Sequence, residues 1–310
     1  MPVIPLNIIP GTIPTAGDLL EQTRSYLLSN HRDQVNRLSA AVLAGATTLT
    51  FEVTPIGVDV GTYLSVGLET FQVFSVNQQA KSASVLGGVR GSPLEAHAVG
   101  DTVFVDPEFS NHAIFRELNM ELRALSAPSG IFQVKTVDLT YNSSRVGFDL
   151  TGVTGLIDIL SVQCEQPDTD RSWPSLRPRE YRLDRNADPT DFPSGIALMI
   201  HGGSPSPGRS VRVEYAKEFT LLESLADSVI LRTGLPDTAI DIPALGAASR
   251  LVGVQESKRT LSGSQRDPRR SDEIPPGAIT GASRLLGAMK MERLANERAR
   301  LLKRYPIRVR

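Results

Sequence analysis

The chain has 310 residues, a formal net charge of −1 and 40% hydrophobic residues, enough for one large core or two modest ones. The single cysteine, Cys164, excludes an internal disulfide framework and a cysteine-based zinc site, and 5% aromatic residues with one tryptophan, Trp173, argue against a stacking platform for sugars or single strands. The 25 glycines and 21 prolines fall between short apolar runs, the pattern of many short strands joined by turns.

Residues 1–17 carry Pro2, Pro5, Pro10 and Pro14 and read as an extended, apolar arm, whose Val3, Ile4, Ile8 and Ile9 pack on this chain or along a neighbour. Met1-Pro2 has no basic region or apolar core of a signal peptide behind it, and no stretch approaches the ~18 apolar residues of a membrane span. The expectation is a soluble protein made in a cytosol, with no membrane partner. A helix is predicted to start at Asp18, with Glu21 at capping-box spacing and Leu19, Leu20, Tyr26 and Leu27 on its apolar face.

From residue 34 the period changes. Segments near Val35, Thr47–Val53, Tyr63–Val66, Glu69–Val76, Ala83–Val89 and Thr102–Val105 predict short strands of a small barrel or sandwich. Ile114, Leu118, Leu122 and Leu125 recur at helical spacing until Pro128 and Gly130. A second β block is predicted over Ile131–Val137, Arg145–Leu150, Ile157–Cys164, Tyr181–Leu183, Ile196–His201 and Ser210–Tyr215. The turn-rich run 202–208 suggests that the last two form a hairpin.

Leu221, Leu222, Leu225, Val229 and Ile230 predict an amphipathic helix broken by Gly234, Pro236 and Pro243, followed by a second over Leu245–Val254. A last helix is predicted over Ser283–Tyr305, with Gly287, Met291, Leu294, Leu301 and Tyr305 along one stripe and Pro306 ending it. The fold class is therefore α+β: two small antiparallel β modules, barrel- or sandwich-like, combined with N-terminal, central and C-terminal helices. Its parts are an arm (1–17), a helix (18–33), a β module (34–107), a helix (108–127), a sandwich-like domain (128–218), a helical region (219–256), a charged loop (257–282) and a C-terminal helix and tail (283–310).

Motifs for chemistry are absent from the sequence. His31, His97, His112 and His201 lie far apart without metal-ligand spacing. No GxSxG elbow occurs, and Gly87-Gly88-Val89-Arg90-Gly91-Ser92 lacks the Lys-Ser/Thr ending of a phosphate loop, so a turn is the simpler account. Asp158, Asp168, Asp170, Asp184, Asp188 and Asp191 lack calcium-loop spacing and read as turn formers. The expectation is a non-catalytic protein with no metal and no cofactor. One feature stands out. Residues 257–310 hold 14 Lys and Arg against 5 Asp and Glu, whereas the remainder holds 19 against 29. A basic segment of that kind suits an acidic protein surface or DNA phosphates.

Three stretches carry a resemblance. Ala46–Thr50, then Gly87–Ser92, then Ala96-His97-Ala98-Val99-Gly100-Asp101-Thr102-Val103 resemble a β module common in neck and tail proteins of tailed phages. Ser92 stands where that module commonly has more residues and a Thr. With Phe109–Leu125, Phe192–Gly195, Gly234–Pro236, Asp241–Ala248 and Tyr305-Pro306, the order over about 18–306 is similar to head-to-tail connector (adaptor) proteins of long-tailed, actinobacterial-type phages.

The resemblance implies a virion protein of the neck, assembled in the host cytoplasm. It implies a ring of copies, dodecameric like the portal beneath which it docks, that extends the DNA channel between capsid and tail. Its partners would be the portal protein, other copies of itself, a further neck protein or tail terminator, and passing double-stranded DNA without sequence specificity. By position, portal binding falls on Arg298, Arg300, Lys303, Arg304, Arg308 and Arg310 toward acids, with Leu301, Leu302 and Tyr305 toward apolar grooves. Rival readings are a tail-terminator, tail-tube or minor tail protein, a glycan-binding tail protein, and a DNA-binding protein acting through 257–310.

Overall fold

The computed structural model describes residues 13–27, 34–127, 130–141, 147–166, 173–201, 208–266 and 278–305, with the helical backbone alone over 255–266 and 278–280. It is an α+β fold that divides into two compact bodies. The first is Met1–Leu122 with Thr220–Ala295, and the second is Arg123–Phe219 with Asn296–Arg310.

The first body holds a six-stranded antiparallel sheet: β1 (Gln34–Arg37), β2 (Thr48–Thr50), β3 (Tyr63–Val66), β4 (Glu69–Asn77), β5 (Ser82–Leu86) and β6 (Thr102–Val105), in the order β1-β6-β3-β4-β5-β2. Its two edges meet. Leu38 bridges Phe51, Glu52 N donates to Arg37 O (2.8 Å), and Ser39 N donates to Thr50 O (3.0 Å). Asn36 adds side-chain bonds to both the carbonyl and the amide of Val53. The sheet thus curls back on itself, which leaves no long free edge. Its interior is filled by alternate residues of each strand, among them Leu49, Leu64, Phe71, Val73, Val85 and Val103. Both possibilities left open by the sequence, barrel or sandwich, are thereby narrowed to a barrel for this block.

The helices of this body are α1 (Ala16–Leu27), most of α2 (Asn111–Leu125), α3 (Val229–Thr233), α4 (Asp241–Arg266) and most of α5 (Ala278–Arg304). Helix α1 begins two residues before the predicted Asp18, because the capping box is Thr15 with Asp18. Asp18 N donates to Thr15 Oγ1 (3.2 Å), and Thr15 N donates to Asp18 Oδ2 (2.8 Å). Ala16 N and Gly17 N are taken by the carbonyls of Asp227 and Leu225. Residues 13–15 are therefore tied to this chain, and 1–12 of the expected arm lie outside the described residues.

The helix expected over 221–230 does not form. Its backbone groups go elsewhere: Leu222 exchanges two bonds with the Asn119 side chain, and Asp227 Oδ2 accepts from Glu223 N and Ser224 N. Only the single turn of α3 remains, capped by Ser228 and closed by Gly234 at φ 75°. Pro243 does not break a helix but lies in the first turn of α4, where its missing N–H costs nothing. Helix α4 runs to Arg266 and α5 starts at Ala278, so much of the segment expected as a charged loop is helical.

The second body is a sandwich of two three-stranded antiparallel sheets. One has the order β10-β11-β8 (Tyr181–Asp184, Ala197–Ile200, Gly147–Asp149) and the other β7-β12-β9 (Gln133–Thr140, Ser210–Lys217, Leu156–Cys164). Phe148, Tyr181 and Leu198 from one sheet and Val162, Val211 and Val213 from the other share its core. The expected hairpin of Ile196–His201 with Ser210–Tyr215 is not present. β11 pairs with β10 and β8, while β12 pairs along its whole length with β7 and with β9. Strands β11 and β12, though consecutive in the chain, therefore belong to different sheets, a switch that turn composition does not encode. Cys164 is buried here, and burial, with Glu180 nearby, pushes its thiol up. Outside, Arg212 holds Asp138 through both guanidinium arms (2.9 and 3.0 Å) and lies over the Trp173 ring at 4.2 Å.

Candidate functional site

Helix α5 is held in the first body by a series of polar contacts. Ser283 Oγ donates to Ser249 O (2.8 Å) and Ser249 Oγ to Ser283 O (3.0 Å). Gly287 lies where a Cβ would be 3.4 Å from Ser249 Oγ, and Gly253 faces Ser283 similarly, so α4 and α5 approach closely and antiparallel. Further along, Arg293 holds Asp241 with two bonds (2.8 and 3.1 Å) and also donates to Thr238 O. Lys290 bonds to the buried Glu121 of α2, which also has Arg250 Nε 2.5 Å from its Oε1.

These contacts change the meaning of the charge imbalance. Lys290 and Arg293 neutralise carboxylates of their own chain, so part of the basic excess is spent on anchoring α5. The other described basic side chains of α5 are Arg284, in its second turn, and a group at its C-terminal end, while Lys258, Arg259, Arg266, Arg269 and Arg270 lie where no side chain is described. Arg300 is exposed and pairs with Glu297 one turn earlier (3.0 Å). Arg298, Lys303 and Arg304 make no ion pair among the described residues, and Arg304 lies 5.5 Å from the centroid of the Tyr305 ring. Leu301, Leu302 and Tyr305 are half-buried. Lys303 and Arg304 also meet the negative end of the helix dipole. Arg308 and Arg310 lie outside the described residues. The structure thus brings Arg298 through Tyr305 together on the last two turns of one helix. The stripe is different from the expected one: Leu294 and Gly287 face inward, but Met291 is 61% exposed.

The motif residues of the barrel form a buried polar knot. Glu69, at the start of β4, takes His97 Nε2 at 2.9 Å and Glu95 N at 3.0 Å on Oε2. Its side chain and that of His97 are 1% and 3% exposed, which closes them to any substrate. Gly87 is required beside them, since a Cβ there would overlap the Glu69 carboxylate. Arg90 takes a left-handed φ of 57° and sets its guanidinium 3.7 Å from the centroid of the Tyr63 ring. Ser92 Oγ accepts from Thr70 N (2.9 Å) and donates to Val89 O (2.9 Å). Asp101 Oδ2 accepts from Ala98 N (2.8 Å) and Gly100 N donates to Leu38 O (2.8 Å), across the turn at Gly100 with φ 87°. The bonds of Glu69, the Ser92–Thr70 bond, the Arg90–Tyr63 contact and the Gly100–Leu38 bond pin loops to the barrel, and the Ser92–Val89 and Asp101–Ala98 bonds close those loops on themselves. The Gly87–Ser92 run is a turn, as its composition indicates.

Arg24 was not foreseen as important. It is fully buried, donates twice to Asn111 Oδ1 (3.2 and 2.5 Å), and lies 3.9 Å from the Phe104 centroid. Asn111 in turn donates to Ser65 Oγ and Gly67 O. The available signal was its position four residues after Leu20, on the apolar face of α1.

Three of the aspartates read as turn formers act locally: Asp184 and Asp188 accept from backbone amides two residues on, and Asp158 accepts from Ile159 N. Asp168 and Asp170 lie outside the described residues. Among the described residues no group of three His, Cys, Asp or Glu side chains could hold a metal ion, and no helix is long and apolar enough to cross a membrane. Neither the models of known protein families nor the curated proteins give a match to this chain.

Proposed function

We propose that the chain is a structural, non-catalytic adaptor of a tailed phage. In this reading, copies form a ring beneath the portal, extend the DNA channel, and join the capsid to the tail. The observation that carries it is the end of α5: Arg298, Lys303 and Arg304 in no ion pair among the described residues, beside half-buried Leu301, Leu302 and Tyr305. Cations next to apolar side chains at a helix end suit an acidic, grooved protein surface. The resemblance supplies the portal as that surface. Two further points support the reading. The residues behind the resemblance serve to brace a barrel rather than to present reactive groups. The rest of the chain is acidic, with 19 Lys and Arg against 29 Asp and Glu, which repels phosphates and suits a channel that must let DNA pass.

The test is co-sedimentation of the full chain with assembled portal rings, against a variant lacking residues 299–310. Loss of association in the variant is expected, with its melting transition retained. Normal association of the truncated chain overturns the docking assignment. Steeply salt-dependent binding of the intact chain to duplex DNA, lost in the same variant, would instead favour a DNA-binding protein.

A further inference from the structure

The first four turns of α5 present a second face, opposite the one packed on α4. Leu285 and Met291 are 55% and 61% exposed on it, large apolar side chains left uncovered among the described residues. Gly281, Ala288 and Ala295 lie on the same side, all exposed, and recur every seven residues. That spacing keeps a strip of small residues on one line of a helix and lets a second helix come close. Arg284 and Glu292 flank the strip, both exposed and neither in an ion pair among the described residues.

The order of these residues is self-complementary. Reversing α5 about Ala288 sets Arg284 opposite Glu292 and Leu285 opposite Met291, each twice, with Ala288 facing itself and Gly281 facing Ala295. A two-fold interface has this requirement: whatever residue i meets in its partner, the partner's residue i meets in return. The face carries one charge of each sign, so it offers no net attraction to DNA or to an acidic surface. It fits its own copy.

We propose that this face of α5 pairs antiparallel with the same face of a second copy of the chain, about a two-fold axis at Ala288. The pairing is independent of the portal reading, which uses the last two turns of the helix. An interface of four turns is small, well under the roughly 1,200 Å² of a standard stable complex, so the dimer is reversible, with a dissociation constant on the order of micromolar.

Sedimentation velocity of the full chain across about 1 to 100 μM brackets that range. A monomer–dimer equilibrium is expected. Arg284→Glu sets two like-charge contacts in the interface and should raise the dissociation constant about tenfold, while adding Glu292→Arg to it should restore the original value. Register is read by disulfide trapping, since Cys164 is buried and an introduced cysteine reports alone. Ala288→Cys should oxidise to a covalent dimer. Met291→Cys should not, because its counterpart is Leu285. All four positions are exposed, so unchanged circular dichroism melts separate loss of pairing from loss of fold. A chain that stays monomeric throughout, a dimer indifferent to the charge swap, or one trapped equally at 288 and 291 overturns the proposal. None of these outcomes bears on portal co-sedimentation.

Discussion

Gly246 of α4 lies directly beneath the carboxylate of Glu121 on α2, so close that a Cβ at 246 would overlap it and lie 2.8 Å from Glu121 Cγ. Glu121 is fully buried, and Lys290 of α5 and Arg250 of α4 converge on it. One small residue thus makes room for the acid that ties three helices together.

Gly246→Ala should therefore destabilise the chain, although alanine is the better helix former, by about 1–3 kcal/mol as an overpacking change. Glu121→Ala removes a buried acid from between two cations and should cost several kcal/mol, on the order of 3. The two effects should not add. Once the carboxylate is gone, alanine at 246 meets open space, and the double variant should be no less stable than Glu121→Ala alone. Thermal melting of the four chains gives the coupling, and additive losses would show that the two residues do not meet.

The elements were legible where burial imposes a period. Of the twelve strands among the described residues, all but β1 correspond to apolar or alternating segments of the sequence, β1 having one apolar residue, Val35, which is exposed; Ile114, Leu118, Leu122 and Leu125 are buried as their spacing implies. The failures share a physical source: backbone groups satisfied by partners that the apolar pattern does not reveal, some a few residues away and some distant in the chain. The 221–224 segment is apolar enough for a helix, but Asn119 and Asp227 take its amides. Leu198 and Val213 look like hairpin neighbours, but they belong to different sheets. The docking residues Arg298 through Tyr305 were legible as a basic, amphipathic helix end. That Lys290 and Arg293 are occupied was not, since Glu121 and Asp241 reach them only through the tertiary fold.

Asp227 organises the turn that precedes α3. The amides of Glu223 and Ser224 donate to its carboxylate, and with the Ser224 hydroxyl and nearby Arg232 they hold its carboxyl below the usual range. A depressed folded value means that the ionised form favours the folded state. The contribution is complete above the unfolded value, about 3.9, and is lost as pH falls through the folded one. Asp227→Asn should lower the melting temperature near neutrality, and the gap from the natural chain should close as pH falls below about 4. A gap that persists unchanged at low pH would mean that the carboxylate charge is not what the turn uses.

Thr15 and Asp18 give a simpler test of where α1 begins. Thr15→Ala removes the hydroxyl that accepts from Asp18 N, and should cost about 1 kcal/mol. Asp18→Asn keeps an acceptor for Thr15 N but loses the negative charge at the helix start, and should cost roughly half as much. If Asp18 were the cap, as the sequence alone suggests, the order of the two effects would be reversed.

The buried pair Glu69 and His97 offers the strongest test of the barrel. His97→Phe leaves the Glu69 carboxylate with Glu95 N as its remaining donor, and Oε1 already lacks a hydrogen bond among the described residues. An acid stranded in that core should cost on the order of 3–5 kcal/mol. Replacing both, as His97→Phe with Glu69→Leu, removes the stranded acid and should recover most of the loss, because a well-packed apolar pair can substitute for a buried hydrogen-bonded polar one. Tryptophan fluorescence is the wrong probe, since Trp173 belongs to the sandwich body. Amide hydrogen exchange in β3, β4 and β5 reads the barrel directly. Protection there should collapse in the single variant and return in the double. Loss of protection that persists in the double would mean that the imidazole and carboxylate position the 87–100 loops through their shape and hydrogen bonds.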